Sequence, residues 1–236
     1  MPGCARWFSV SRERDRCRNL GDIDELQLTL LLACGPKKDE MWEQRYSGSG
    51  YVYGTEPNDF LADMAPVHLR PGTVLCLADG EGRNGVYLAT QGYEVSSVDL
   101  SPSGVEKARA LARSKGVSVD AKRGDLTTFD LGIGCWDTIV SIFVHLPPAL
   151  RADVHRRVVQ ALKPGGTLIL EAYAPGQLGR GTGGPPKLEM LMDLAAIQTE
   201  LEGLDFLVAC ETTRAVVEGE FHTGVAAVTQ VVGRKR

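Results

Sequence analysis

Apolar and polar positions fall into a repeating order from residue 73 onward. "TVLCLAD" is an apolar run of the length of a buried strand, and "RNGVYLATQG" has helical spacing and stops at Gly92. "EVSSVDL" reads as a second strand. Ser101 and Pro102 then open a helix with Val105, Ala108, Leu111 and Ala112 on one face, ending near Gly116. "VSVDAKRG", "WDTIVSIF" and "GGTLILEAY" are the third, fourth and fifth strands, with a helix opening at Pro147 and Pro148 between the last two. This alternation predicts a parallel sheet with right-handed crossovers and helices on both faces.

The flanks read differently. "MWEQRYSGSGYVYGTEPNDFL" mixes aromatics with Gly and polar residues and enters a helix at Pro57, with Phe60, Leu61 and Met64 as its apolar stripe. Residues 175–186, "PGQLGRGTGGPP", form a Gly/Pro-rich loop, followed by a helix through "LEMLMDLAAIQTELEG". The runs "DFLVACETTRAVVE" and "AAVTQVVGRK", separated by "GEFHTG", predict an antiparallel pair at a sheet edge. The expected fold is Rossmann-like α/β: a seven-stranded, mostly parallel sheet with an antiparallel last strand. Residues 1–40 are expected to be a poorly ordered extension and residues 41–236 a single domain.

Composition narrows the function. Hydrophobic residues make up 43% of the 236, an ordinary globular share. A net charge of −4 with no long basic block argues against a nucleic-acid partner. No apolar run reaches the roughly 18–20 residues of a membrane span. Six scattered cysteines without a C-x-x-C pair read as reduced thiols, not a metal site or disulfide framework, and point to the cytoplasm. Arginines among the first eighteen residues alternate with Glu13 and Asp15, unlike an acid-poor transit peptide.

Candidate chemistry begins at "LADGEGRNGVYLA". Gly80, Gly82 and Gly85 have the G-x-G-x-x-G spacing of a dinucleotide site, at the end of the first strand where ligands of such sheets bind. The glycines let backbone approach a ligand, and the following helix offers its N-terminal amides. Asp99, nineteen residues beyond Gly80, can accept ribose hydroxyls. Asp79 and Glu81 separate the candidates. Like charges ~4 Å apart at an effective dielectric of ~20 repel by about 4 kcal/mol, so a pyrophosphate is disfavoured. S-adenosylmethionine has no phosphate and carries two cationic centres that acids would help hold. The competing reading is that both side chains face solvent or cap the helix.

"VLCLADGEGRNGVYLATQGYEVSSVDLS", "RGDL", "WDTIVSIFVHLPP" and "LKPGGTLILEAY" together resemble a class I S-adenosylmethionine-dependent methyltransferase over residues 41–236. "GEGRN", the leading W-x-x-R-Y segment and the late "GEFH" resemble the tellurite-resistance branch of small-molecule, thiopurine-like methyltransferases. Two departures stand out: Cys76 replaces a frequent acid, and Ala78-Asp79-Gly80 replaces Gly-Cys-Gly.

The resemblance implies that Gly80 and Gly82 line the methionine and ribose, with Asp79 and Asn84 beside them. It implies that Asp99 holds the ribose with Leu100 beside the adenine, and that Asp125 and Leu126 hold the adenine. Phe143 and Val144 lie by the sulfonium. Trp42, Arg45, Tyr46 and Tyr53 fold over the cofactor, Arg45 toward its carboxylate; plain core packing is the competing reading for the aromatics. His145 and His222 are the candidate general bases, against structural or surface roles. Arg180, in the loop 175–186, is the candidate contact for an anionic acceptor, with a flexible linker as the alternative. The expected activity is methyl transfer to a thiol, a metalloid oxyanion or a small metabolite by a monomer or weak homodimer. A non-catalytic cofactor- or partner-binding module remains open, as does an NAD(P)-dependent reductase, although no Tyr-x-x-x-Lys pair is evident.

Overall fold

The computed structural model describes residues 38–219 and 221–236. The expected extension thus lies almost wholly outside the described residues, and what is seen of its end is ordered: Lys38–Tyr46 form helix α1. Strands β1 (Thr73–Leu77), β2 (Glu94–Asp99), β3 (Asp120–Arg123), β4 (Trp136–Ile142), β5 (Leu162–Tyr173), β6 (Leu204–Glu218) and β7 (His222–Lys235) form one sheet in the order β3-β2-β1-β4-β5-β7-β6. The first five pair in parallel, and β7 runs antiparallel to both β5 and β6. The helices are α2 (Asp59–His68), α3 (Arg83–Thr90), α4 (Pro102–Ser114), α5 (Pro148–Ala161) and α6 (Leu194–Glu200). This is the Rossmann-like fold that the alternation predicts.

Period-2 alternation in β1 explains the layers. Leu75 and Leu77 pack with Val154, Val158 and Ile197 of α5 and α6. Val74 and Cys76 pack with Phe60, Leu61 and Leu88 of α2 and α3. A strand buried on both faces needs consecutive apolar residues, as the "VLCL" of β1 supplies.

Three boundaries differ from expectation. Helix α2 starts at Asp59 because Asn58 is its cap, its side chain accepting the Leu61 N–H at 2.9 Å; Pro57 stays outside. The expected long helix after the Gly/Pro loop is interrupted. A short 3₁₀ turn, Leu188–Met190, is followed by a Met192 N–H to Tyr173 carbonyl bond of 2.8 Å that ties the chain to β5. Asp193 then caps α6, accepting the Ala196 N–H at 3.0 Å. Finally, β5 absorbs Pro164-Gly165-Gly166 as a bulge, where the register jumps from Trp136↔Leu162 to Thr138↔Thr167.

Candidate functional site

Strand β1 lies between β2 and β4, so the carboxyl ends of these strands open at the sheet's topological switch point. A cavity of about 750 Å³ lies there. Its floor is the turn after β1, where Ala78 has φ 44°, Gly80 φ 57° and Gly82 φ 88°. Asp79 accepts the Gly85 N–H at 3.2 Å. Burial pushes the Asp79 carboxyl up to about 7, against that hydrogen bond, and the nearby Asp99 charge adds to the rise. Asp99 accepts the Gly80 N–H at 2.8 Å and the Ser101 N–H at 2.9 Å, and burial raises it too.

The loop's other features differ from expectation. A Cβ at Gly80 would lie 2.7 Å from the Tyr46 hydroxyl, so close approach here is first to a side chain of α1. A Cβ at Gly82 would lie 2.5 Å from Ala108 Cβ; this glycine serves packing against α4 and is not among the cavity's lining residues. Glu81 also lines the cavity but is already engaged. It is buried, accepts the Val52 N–H at 2.7 Å and pairs with Lys107 at 2.7 Å, so its charge is already balanced. Of the loop's two acids, only Asp79 is left to discriminate between ligands by charge.

Leu100, Asp125, Leu126 and Val144 all line the cavity. Asp125 accepts the Thr127 N–H at 2.8 Å, the turn-capping role that its position allows. Asn84 also lines it while accepting the Asn58 N–H at 2.9 Å. Trp42, Arg45, Tyr46 and Tyr53 form a single wall. Trp42 and Tyr46 stack at 5.6 Å, Arg45 donates to the Tyr53 hydroxyl at 2.8 Å, and its guanidinium lies 4.9 Å from the Trp42 ring centroid and 5.0 Å from that of Phe221. Helix α1 is fastened by Glu43, which accepts from the Ser101 and Ser103 hydroxyls at 2.5 Å each and from the Ser103 N–H at 3.1 Å, at the N-terminus of α4.

The histidines have different fates. His145 has both ring nitrogens occupied: Nδ1 lies 3.0 Å from the Met190 carbonyl and Nε2 accepts the Tyr173 N–H at 3.3 Å. That pattern fixes the proton on Nδ1 and leaves no lone pair for a substrate. Burial, opposed by the Met190 bond, holds its pKa down to about 4. His145 is a structural ring, not an available base. His222 lines the cavity, packed at 4.6 Å from Tyr53 and 4.8 Å from Phe143. Its Nδ1 is buried without a hydrogen-bond partner among the described residues. Burial and the Arg83, His145 and Arg45 charges hold it down to about 3. Glu218 is 4.0 Å away and already engaged, so it does not hold the proton on. Arg180 is exposed, donates to the Gly176 carbonyl at 2.7 Å and does not line the cavity; the loop contributes Gly183, Gly184, Pro185 and Pro186 instead.

Sequence reasoning missed a buried polar cluster behind this wall. Glu171 and Glu218, both buried, are bridged by Asn58 Nδ2 at 2.5 and 2.8 Å and by Arg214, at 2.6 and 3.1 Å. Arg83, a cavity residue, donates to Glu218 at 2.5 Å. An acid inside the apolar run "TLILEAY" was the available signal, since a buried carboxylate requires partners.

Residues 74–166 match a family described as a methyltransferase domain. The chain is 28% identical over 116 residues to a 2-heptyl-1-hydroxyquinolin-4(1H)-one methyltransferase of Mycobacteroides abscessus, covering 48% of this chain and 50% of that one. It is 32% identical over 117 residues to a tRNA 5-carboxymethoxyuridine methyltransferase of Escherichia coli (strain K12), covering 48% and 43%. The chain thus spans about half the length of the curated relatives it matches. In fold it is similar to TehB from Haemophilus influenzae, with a TM-score of 0.64 at 18% identity, over 85% of this chain and 68% of that one.

Proposed function

We propose that the protein, whose residues 74–166 match a methyltransferase domain and whose described residues build one Rossmann-like sheet, transfers the methyl group of S-adenosylmethionine to a small-molecule acceptor. The observation that carries this reading is the ring of carboxylates, Asp79, Asp99 and Asp125, around one cavity at the switch point. The donor set fits this cofactor. A carboxyl held up to about 7 by burial and a neighbouring acid gains from an incoming cation, which stabilises its ionised form as a pyrophosphate cannot. In this reading Asp79 meets the ammonium, Asp99 the ribose hydroxyls and Asp125 the adenine amino group. Leu100 and Leu126 flank the adenine, Phe143 and Val144 lie near the sulfonium, and Arg45 meets the carboxylate. Gly80 and Asn84 shape the floor, while Gly82 acts only through packing.

Bound S-adenosylmethionine supplies a methyl group already activated by its sulfonium. The chain's task is to align the acceptor and exclude water, and alignment alone contributes on the order of 7–11 kcal/mol. Tyr46, Tyr53 and Trp42 close one side and Gly183–Pro186 the other. A walled cavity on a chain of net charge −4 favours a small acceptor over a tRNA base, and the relative acting on a hydroxyquinolone supplies a precedent.

Calorimetry tests the reading. S-adenosylmethionine and S-adenosylhomocysteine should bind and NADH should not. Binding of NADH without S-adenosylhomocysteine would overturn it in favour of a reductase. Mass spectrometry of products from a thiol, tellurite, phenol and amine panel separates an enzyme from an inert binding module.

A further inference from the structure

Two polar atoms are buried without a hydrogen-bond partner among the described residues: the Tyr173 hydroxyl and His222 Nδ1. Orphaned buried groups are uncommon in folded proteins and each asks for an explanation. These two are neighbours, their rings meeting edge-on at 5.3 Å. Both lie against Gly183, part of the cavity wall. A Cβ there would overlap the Tyr173 hydroxyl and lie 3.0 Å from His222 Cδ2. The Tyr173 hydroxyl is buried behind Gly183, which lines the cavity beside His222, and Gly183 (φ 121°) and Gly184 (φ 89°) both hold backbone that other residues rarely adopt.

The surroundings specify the ligand. Phe143 stacks on Tyr173 at 4.6 Å, and Tyr53 packs on His222 at 4.6 Å, so flat apolar faces border the polar pair. The Arg45 and Arg83 charges reach His222. Burial raises the Tyr173 hydroxyl above its ordinary range, so it stays a donor. A neutral imidazole of such low basicity is a poor proton abstractor from an alcohol or amine, but a serviceable hydrogen-bond partner for an oxygen already ionised.

We infer that Tyr173 and His222 form a receptor for an aromatic hydroxyl bound as its oxyanion at the Gly183 end of the cavity. The inference rests on the methyltransferase reading and names its acceptor class. The aryl oxygen forms the new O–CH₃ bond as the methyl–sulfur bond breaks. Because the acceptor enters as an anion, no proton remains to be placed. His145 takes part as a positioning residue, holding the Tyr173 backbone N–H.

The test uses S-adenosylhomocysteine-loaded protein and 4-nitrophenol, whose anion is coloured, at a pH below the probe's own pKa. Binding should produce the phenolate band. Tyr173→Phe should weaken binding roughly tenfold and reduce the band, leaving S-adenosylhomocysteine affinity unchanged. It should not lower Tm, because the lost hydroxyl had no partner; a purely structural role would lower it. Gly183→Ala should abolish probe binding by overlap with the hydroxyl while S-adenosylhomocysteine still binds. Equal affinity in wild type and Tyr173→Phe, or binding without the band, overturns the inference alone. So does methylation of only thiols or metalloid oxyanions. Failure of wild type to bind S-adenosylhomocysteine overturns the methyltransferase reading, and this inference with it.

Discussion

His145 and Tyr173 are joined twice, by a 3.3 Å hydrogen bond from the Tyr173 N–H to His145 Nε2 and by rings 5.6 Å apart and within 16° of parallel. With Nδ1 on the Met190 carbonyl, the imidazole braces strand β5 against the segment that follows the Gly/Pro loop. His145→Phe keeps the stack but strands a buried donor and acceptor. Urea denaturation should show a loss of about 1–3 kcal/mol. The pH–rate profile above pH 5 should keep its shape, since this ring does not titrate there. The acid side follows from the sign. A folded-state pKa of about 4 against 6.5 unfolded means the unfolded chain takes up protons first. Wild-type stability therefore falls as pH drops from 6.5 toward 4, and the variant lacks this part of the fall.

Asp79 sets the opposite slope. Its carboxyl titrates at about 7 in the folded protein against 3.8 in the unfolded chain, so the folded state holds a proton that the unfolded chain releases. Its contribution is full below pH 3.8 and is lost as pH rises through 7. Asp79→Asn keeps an oxygen for the Gly85 N–H and removes this loss. In the absence of ligand, Tm at pH 8 should exceed that of wild type, whereas at pH 4 the two should nearly coincide. Affinity for S-adenosylmethionine should fall at least tenfold at pH 8. Unchanged affinity would sink the charge argument for this cofactor.

The strand–helix alternation was legible because β1, β4 and β5 are buried over most of their length and each carries a short run of apolar residues. The switch-point residues Asp99 and Asp125 follow from it, since topology alone places strand ends. Side-chain direction was not legible. Glu81 and Asp79 are two residues apart and both line the cavity, yet Glu81 is engaged by Lys107 and the Val52 N–H while Asp79 accepts the Gly85 N–H. His145 read as a base because proximity to the strand end is visible in sequence, whereas the partners of its two nitrogens come from residues 173 and 190. Helix α1 carries too weak an apolar stripe to be read; Glu43 and the Tyr46 stack hold it through tertiary contacts.

Ala78 stands where the resembled methyltransferases often carry glycine, and this has a structural consequence. Where a glycine is usual, its φ of 44° places Cβ in the left-handed region. That conformation costs roughly 1–2 kcal/mol for an L-residue, against about 0.5–1 kcal/mol for glycine's greater chain entropy. Ala78→Gly should gain about 0.5–1 kcal/mol in a denaturant titration. Phe143 is equally left-handed at φ 54°, but its ring packs on Tyr173 and His222, so Phe143→Gly should destabilise instead.

Arg214 is the counter-charge of the buried carboxylates, pairing with Glu171 at 2.6 Å and Glu218 at 3.1 Å. Glu171 is fully buried and takes its remaining bonds from Asn58 and Gln230, which are neutral. Among the described residues, Arg214→Met leaves the two acids with Arg83 as the remaining ion-pair partner. Loss of one partner of a buried pair destabilises by about 3–5 kcal/mol. A Tm lowered by less than a few degrees would mean that water reaches the cluster.

Glu43 fastens the aromatic wall by accepting from Ser101 and Ser103 at the start of α4. Those hydroxyl and amide donors hold its carboxyl below the ordinary range. The clasp is therefore present above the unfolded value of 4.5 and lost as pH falls through the folded one. Because α1 carries Trp42, Arg45 and Tyr46, releasing it opens the cavity from that side. Glu43→Ala should raise amide exchange across residues 40–53 and weaken S-adenosylhomocysteine binding several-fold, while exchange in β1 and β4 stays as in wild type. Wild type taken below the lowered folded-state pKa of Glu43 should show the same local pattern. Uniform acceleration across the sheet would mean that Glu43 supports the fold as a whole and not this wall.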